Sequence, residues 1–263
     1  MNLIVAAKSG WGKSFKGQEV LEKNLPDYEH AIVLDYKDEY RGLAKAGLAK
    51  WWIGGPKEFQ WSPETWRAFL EANGAVVLAR HDRVTTEQWR EMSARVVDGA
   101  RRTKDVVIGI DEAHWVAPQS GKVPDPITGL ATTGRGEGAS GIWITQRLAK
   151  AEEDVISQCQ GRVLGGFEST ADLNKVEELV EYPADLHNPQ ISTLNRELIA
   201  DELLPVGRTS PVSLQKHKED GHLVGSEWIY SDDDGERERL DTRGLAAEMD
   251  STHYGKEGKG LKV

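Results

Sequence analysis

The feature that most constrains this chain lies at its start. Leu3-Ile4-Val5-Ala6-Ala7 is an unbroken apolar run that passes directly into Lys8-Ser9-Gly10-Trp11-Gly12-Lys13-Ser14, and a helical pattern follows to about Leu25. A buried strand, a glycine-containing turn and a helix, in that order, are the setting of a phosphate-binding loop. Gly10 and Gly12 let the backbone wrap. The N–H groups of the loop then point at an anion that the helix dipole also favours. In this reading Lys8 to Ser14 is the nucleotide-binding segment: Lys13 reaches the β- and γ-phosphates of ATP, and the Ser14 hydroxyl ligates Mg2+. Ala7 stands where the motif usually opens with glycine, which is tolerable if its backbone stays at negative φ. Trp11 is unusual in such a loop. Three roles are open to it: covering a phosphate, touching a neighbouring subunit, or packing as an exposed bulky residue.

Further along, short apolar segments at 31–35, 51–53, 75–79, 106–110, 142–145 and 162–164 read as strands. Helical stretches separate them, one opened by Ser62 ahead of Pro63, another by Thr85 or Thr86 and running to about Arg102, and a third over 171–180. Strands alternating with helices predict an α/β fold, a doubly wound, mostly parallel sheet with helices on both faces. Ligand chemistry then belongs at the C-terminal strand tips. Because the first strand begins beside Met1, no domain is expected ahead of it. Beyond about Pro183 the pattern weakens. The core is expected over 1–183, an extension over 184–230 with one added strand at 222–230, and a charged, mobile tail over 231–263, so that the C-terminal extension is partly disordered. The lone Cys159 reads as a small buried residue and fits a reducing compartment. With no apolar run near the length of a membrane span and no signal-peptide pattern, the expected location is cytoplasmic.

A second constellation completes the first. Val106-Val107-Ile108-Gly109-Ile110 is an apolar strand that ends in Asp111-Glu112. Neighbours on a strand point in different directions. Asp111 can therefore serve the magnesium shell while Glu112 orients and deprotonates an attacking water. The strand at 142–145 ends in Thr145-Gln146, and Gln146 is the candidate sensor of the γ-phosphate. Hydrolysis in ring ATPases is often completed by an arginine from the next subunit. Arg135, just before the sensor strand, is the first candidate, with Arg147 and Arg162 behind it.

Taken together, four segments resemble the HerA/FtsK superfamily of DNA-pumping ATPases: 8–14, Val33-Leu34-Asp35-Tyr36-Lys37-Asp38-Glu39-Tyr40, Ile110-Asp111-Glu112-Ala113-His114, and Ile142-Trp143-Ile144-Thr145-Gln146-Arg147. The resemblance spans about residues 1–180. It implies a RecA-like P-loop NTPase core, a homo-oligomeric ring, expected to be a hexamer, and translocation of double-stranded DNA through its pore. The chain's compactness looks most like the genome-packaging ATPases of membrane-containing icosahedral viruses. That likeness implies work in a host cytoplasm, at a virion packaging vertex, beside a viral portal or membrane protein. The loop Val116–Pro126, which carries Lys122, is a candidate for contact with DNA phosphates. A net charge of −10 argues against a static nucleic-acid binder, which gains affinity by neutralising phosphates. It does not exclude a motor that touches DNA through a few pore residues.

Two other readings stay open. Lys8 lies where partition-type dimeric ATPases carry the signature lysine of a deviant Walker loop, although Glu112 directly after Asp111 fits that class less well. A non-enzymatic scaffold that assembles on ATP needs neither Glu112 nor Gln146. A DEAH-type helicase shares Asp111-Glu112-Ala113-His114 but needs a second RecA-like domain, for which residues after 180 do not suffice.

Overall fold

A computed structural model of the chain describes residues 1–254. The opening apolar run forms β1 (Asn2–Ala6), and α1 (Lys13–Asn24) follows the loop. Next come β2 (His30–Asp35), α2 (Arg41–Lys45), β3 (Lys50–Gly54), α3 (Pro63–Asn73), β4 (Ala75–Arg80) and α4 (Thr86–Arg101). Both longer helices start on the expected signals. Ser62 accepts the Thr65 N–H ahead of Pro63, and Thr85 forms a reciprocal capping box with Gln88. The chain continues through β5 (Val106–Ile110), α5 (Ala113–Val116), α6 (Asp125–Thr132), α7 (Gly134–Glu137), β6 (Ala139–Thr145), α8 (Glu153–Ser157), β7 (Gly161–Leu164) and α9 (Thr170–Leu179). After an irregular stretch, β8 (Lys216–Glu219), β9 (His222–Asp232) and β10 (Arg237–Asp241) close the fold.

The strands order as β10-β9-β7-β1-β6-β5-β2-β4-β3, with β8 paired to β9. From β7 to β3 every pairing is parallel, while β9 and β10 add antiparallel. Strands covered on both faces need apolar residues on both, and β1 shows it. Ile4 and Ala6 belong to a core with α3, α4, α6, α8 and α9, whereas Val5 and Ala7 belong to one with α1, α2 and residues 186–214. Because β6 lies between β1 and β5, its C-terminal tip is set between the phosphate loop and the acidic pair.

The C-terminal region departs from expectation. Residues 184–214 are irregular but bury Leu186, Ile199, Leu203 and Leu214 against the sheet. The tail expected to be mobile from Ser231 is structured as far as 254: β9 runs to Asp232, β10 pairs with it, and Ser251 is fastened to α1. The composition misleads because β10, Arg-Glu-Arg-Leu-Asp, is an edge strand, where charge is tolerated and guards against further pairing. Its Arg239 is half-buried, donating to Glu227 at 2.7 Å and to the Val212 carbonyl at 2.7 Å. The last part of the expected tail, 255–263, lies outside the described residues. Among those described, no helix is long and apolar enough to cross a membrane.

Candidate active site

The phosphate loop leaves β1 with Ala7 donating to the Thr145 carbonyl and Lys8 to that of Gly166, at 3.4 and 3.0 Å. Ala7 does not take a positive φ, so alanine fits there without strain. Gly10 and Gly12 adopt φ of 71° and 88°, left-handed values that favour glycine. Ser9 and Gly10 are exposed at the crest, and Lys13 and Ser14 begin α1.

Trp11 has none of the three roles open to it in sequence. Its side chain is fully buried, its indole N–H donates to the Glu227 carbonyl of β9 at 3.1 Å, and its ring lies on Gly165 and Gly166. A Cβ at Gly166 would fall 2.3 Å from that ring. Ser226 Oγ also donates to the Trp11 carbonyl at 2.7 Å. The loop is thereby pinned to the C-terminal strands, and the indole cannot reach a phosphate or a neighbouring chain.

Lys13 and the acidic pair meet at the strand tips. Lys13 Nζ lies 3.2 Å from Asp111 Oδ1 and 3.6 Å from Glu112 Oε1, with all three side chains buried. Burial disfavours the lysine's charge, but Asp111 and Glu112 outweigh it and raise its pKa. Burial raises the Asp111 pKa against the pull of Lys13, while Lys13 and Lys37 carry Glu112 the other way. Glu112 takes φ of 48°, an uncommon value for a residue with a Cβ. A backbone outlier of this kind costs on the order of 1–3 kcal/mol and gathers at functional sites.

Asp111 Oδ2 and Glu112 Oε2 have no hydrogen-bond partner among the described residues. A buried carboxylate oxygen without a partner is costly. A divalent cation at Asp111 would relieve it; the carboxylate and the Ser14 hydroxyl at the start of α1 are hard oxygen ligands, so the donor set fits Mg2+.

Two residues of the neighbouring β2 tip join the pair, because β2 lies beside β5 in register. Lys37 forms an ion pair with Glu112 Oε1, and the Tyr40 hydroxyl donates to Asp111 Oδ1 at 3.3 Å. Asp35, buried below, accepts the N–H groups of Glu39 and Tyr40 at 3.0 and 2.9 Å and so holds that turn. Burial, and then the nearby Asp111, push its pKa up to about 7. The sequence alone does not single out Lys37 or Tyr40. The signal is present in 33–40, but their place depends on which strand neighbours β5.

His114 links the acidic tip to β6. Its Nδ1 lies 3.0 Å from Thr145 Oγ1 and 3.4 Å from Glu112 Oε2. Burial lowers its pKa to about 4, so the ring is neutral at pH 7. An unfolded histidine protonates near 6.5, so between the two values the unfolded chain binds more protons, and His114 makes stability fall as pH drops from about 6.5 to about 4. His114→Asn is expected to remove this contribution, at most about 1.4 kcal/mol per pH unit. Denaturant titrations of both proteins at several pH values measure it; identical slopes would contradict the assignment.

The other expected site residues are distributed differently. Thr145, not Gln146, contacts His114, while the half-buried Gln146 lines a cavity with His114, Trp115, Arg147 and Lys150. Arg135 is exposed in α7 at the start of β6, whose length places it about 20 Å from the phosphate end of that strand. It is out of reach of its own chain's loop. Arg147 is exposed at the tip, and Arg162 is paired with Asp233 at 2.6 Å. Lys8 is engaged within the chain by Glu168. In the loop 116–126, Lys122 is exposed.

No family model and no curated protein matches the sequence. Solved structures do. The genome packaging NTPase B204 of Sulfolobus turreted icosahedral virus 2, in complex with AMP, superposes with a TM-score of 0.54 at 13% identity, covering 91% of this chain and 95% of that one. B204 of Sulfolobus turreted icosahedral virus, described as its DNA-packaging ATPase, gives 0.55 at 12% identity over 90% and 95%. VirB4 of Thermoanaerobacter pseudethanolicus gives 0.53 at 13% identity over 71% and 82%. At such identities the likeness establishes the fold, and this chain has the RecA-like P-loop NTPase fold.

Proposed function

We propose that the chain is an ATP-hydrolysing motor of the HerA/FtsK class that assembles as a homo-oligomeric ring, most simply a hexamer, and pumps double-stranded DNA into a viral particle. The observation that carries the hydrolytic part is the meeting of Lys13, Asp111 and Glu112 at adjoining strand tips, where Asp111 Oδ2 and Glu112 Oε2 make no hydrogen bond among the described residues. The fold shared with a packaging NTPase solved with AMP and with ATP-gammaS supports both the nucleotide and the packaging role.

In this mechanism Lys13 exchanges its contact with Asp111 for the β- and γ-phosphates. Ser14 and Asp111 would hold Mg2+, which would supply positive charge to the phosphate oxygens. Glu112 takes the proton of the attacking water, and Lys37 must loosen its hold on Oε1 for that carboxylate to act as base. His114, neutral and fixed by Thr145, positions Glu112, while Gln146 senses the γ-phosphate. DNA is held by exposed basic side chains such as Lys122, and a portal or membrane protein of the particle, in the host cytoplasm, is the docking partner.

Arg135 serves the next subunit's site, since its own is out of reach. Arg135→Ala chains should therefore assemble yet hydrolyse poorly, and so should Glu112→Gln chains. An equal mixture of the two should recover about a quarter of native turnover, the fraction of interfaces that unite an intact glutamate with an intact arginine. Absence of recovery, or normal turnover of Arg135→Ala alone, would move the finger to Arg147 or Arg162. The partition-type alternative gains nothing from the geometry, because Lys8 is tied to Glu168 of its own chain.

A further inference from the structure

The cavity that Gln146 shares with His114 has a volume of about 440 Å3 and is lined by charge of one sign. Arg90 of α4 enters it from one side, Arg147 and Lys150 from the segment after β6, and Gln119 and Ser120 add neutral polar groups. No Asp or Glu is among the described residues that line it. Acidic residues outnumber lysine and arginine by 43 to 33 in this chain, and most arginines are paired with one, as Arg101 is with Glu137 and Arg162 with Asp233. Arg90, Arg147 and Lys150 take part in no ion pair among the described residues. Arg90 gives its Nε–H to the Trp115 carbonyl at 2.9 Å, which leaves the outer N–H groups of its guanidinium for an occupant. Three cations gathered around one space repel each other, and an anion between them relieves that repulsion.

The walls are braced without an occupant. The Gln119 N–H donates to the Lys150 carbonyl and the Glu152 N–H to that of Ala117, both at 2.9 Å, with a bridge between Pro118 and Ala151. The segments that follow β5 and β6 are thereby laced together. His114, the buried member of the lining, also reaches the catalytic tip: its Nδ1 lies 3.4 Å from Glu112 Oε2 and 3.0 Å from Thr145 Oγ1. An occupant of the cavity is therefore one side chain away from Glu112.

We infer that this cavity is a second phosphate site, outside the phosphate loop, where Arg90, Arg147 and Lys150 hold the oxygens of a phosphate group. A guanidinium meets two phosphate oxygens at once, a lysine adds a point charge, and the Gln146 amide adds a neutral donor. Two sources can supply that group, and both rest on the motor reading above. One is the inorganic phosphate set free by hydrolysis beside Gln146; the other is the backbone of the DNA.

Calorimetric titration of inorganic phosphate into the whole chain tests this, with AMPPNP and Mg2+ added first to fill the loop. Phosphate should bind, and Arg90→Gln and Lys150→Gln should each weaken it by about tenfold, the loss of one charge-assisted hydrogen bond. Neither substitution should change the affinity for AMPPNP. A short DNA duplex then identifies the source. A duplex that competes with phosphate, and is weakened by the same substitutions, seats its backbone in the cavity. A duplex that leaves phosphate binding untouched assigns the cavity to the product of hydrolysis. The inference is overturned if neither phosphate nor the duplex binds in a way that Arg90→Gln and Lys150→Gln weaken. Failure of AMPPNP to bind would strike the phosphate-loop reading alone, because both substitutions lie outside the loop and their comparison stands without it.

Discussion

Replacing Glu112 with glutamine should lower kcat by about a hundred- to a thousandfold while ATP binding stays near that of the native chain. Glutamine keeps the shape and can still orient a water, but it cannot accept the proton. Glu112 is well placed to act as the base, being buried, 3.6 Å from Lys13, and held on a left-handed backbone. The ion pairs with Lys13 and Lys37 lower its pKa, which keeps it ionised but makes it a weak base until they are redirected. In the proposed mechanism nucleotide binding redirects Lys13, which would couple hydrolysis to occupancy of the loop. Single-turnover kinetics alongside equilibrium binding separate the two effects. Turnover within about threefold of native would remove Glu112 from the mechanism.

The second large effect is structural. Trp11→Ala is expected to destabilise the fold by about 3–5 kcal/mol, the range for truncating a large buried aromatic, and to weaken ATP binding because the loop loses its anchor. The indole fills the space left by Gly165 and Gly166 and its N–H is satisfied by Glu227, so truncation opens a cavity and orphans a carbonyl. Gly166→Ala should be damaging for the complementary reason, since the new methyl would overlap the ring. Urea unfolding followed by tryptophan fluorescence measures both. A cost below about 1 kcal/mol for Trp11→Ala would mean that the loop does not depend on the C-terminal strands.

Local signals in the sequence suffice where short-range physics decides. The apolar runs become strands, Ser62 and Thr85 cap their helices, and the order of loop, acidic tip and sensor strand is enough to place Lys13 against Asp111 and Glu112. What stays hidden depends on strand order or long-range closure. Trp11 looks like a surface oddity until β9, more than two hundred residues later, arrives beside β7 and covers it. Arg-Glu-Arg-Leu-Asp looks like a solvated tail because only pairing with Glu227 to Ser231 makes it a strand. Lys37 and Tyr40 touch the acidic pair only because β2 is the neighbour of β5, and Gln146 yields its inner position to Thr145 because the strand ends with that side chain facing His114. The strap at 250–253 joins α1 through single side chains, Glu22 and Gln18, for which no periodicity exists.

In the proposed motor, ATP hydrolysis at this site drives movement of DNA. The most direct measurement is steady-state ATP turnover with and without linear double-stranded DNA, with the Glu112→Gln chain as the blank. A motor of this kind should be stimulated by DNA, and the blank should stay silent in both conditions. Turnover by the native chain that is the same with and without DNA would contradict it.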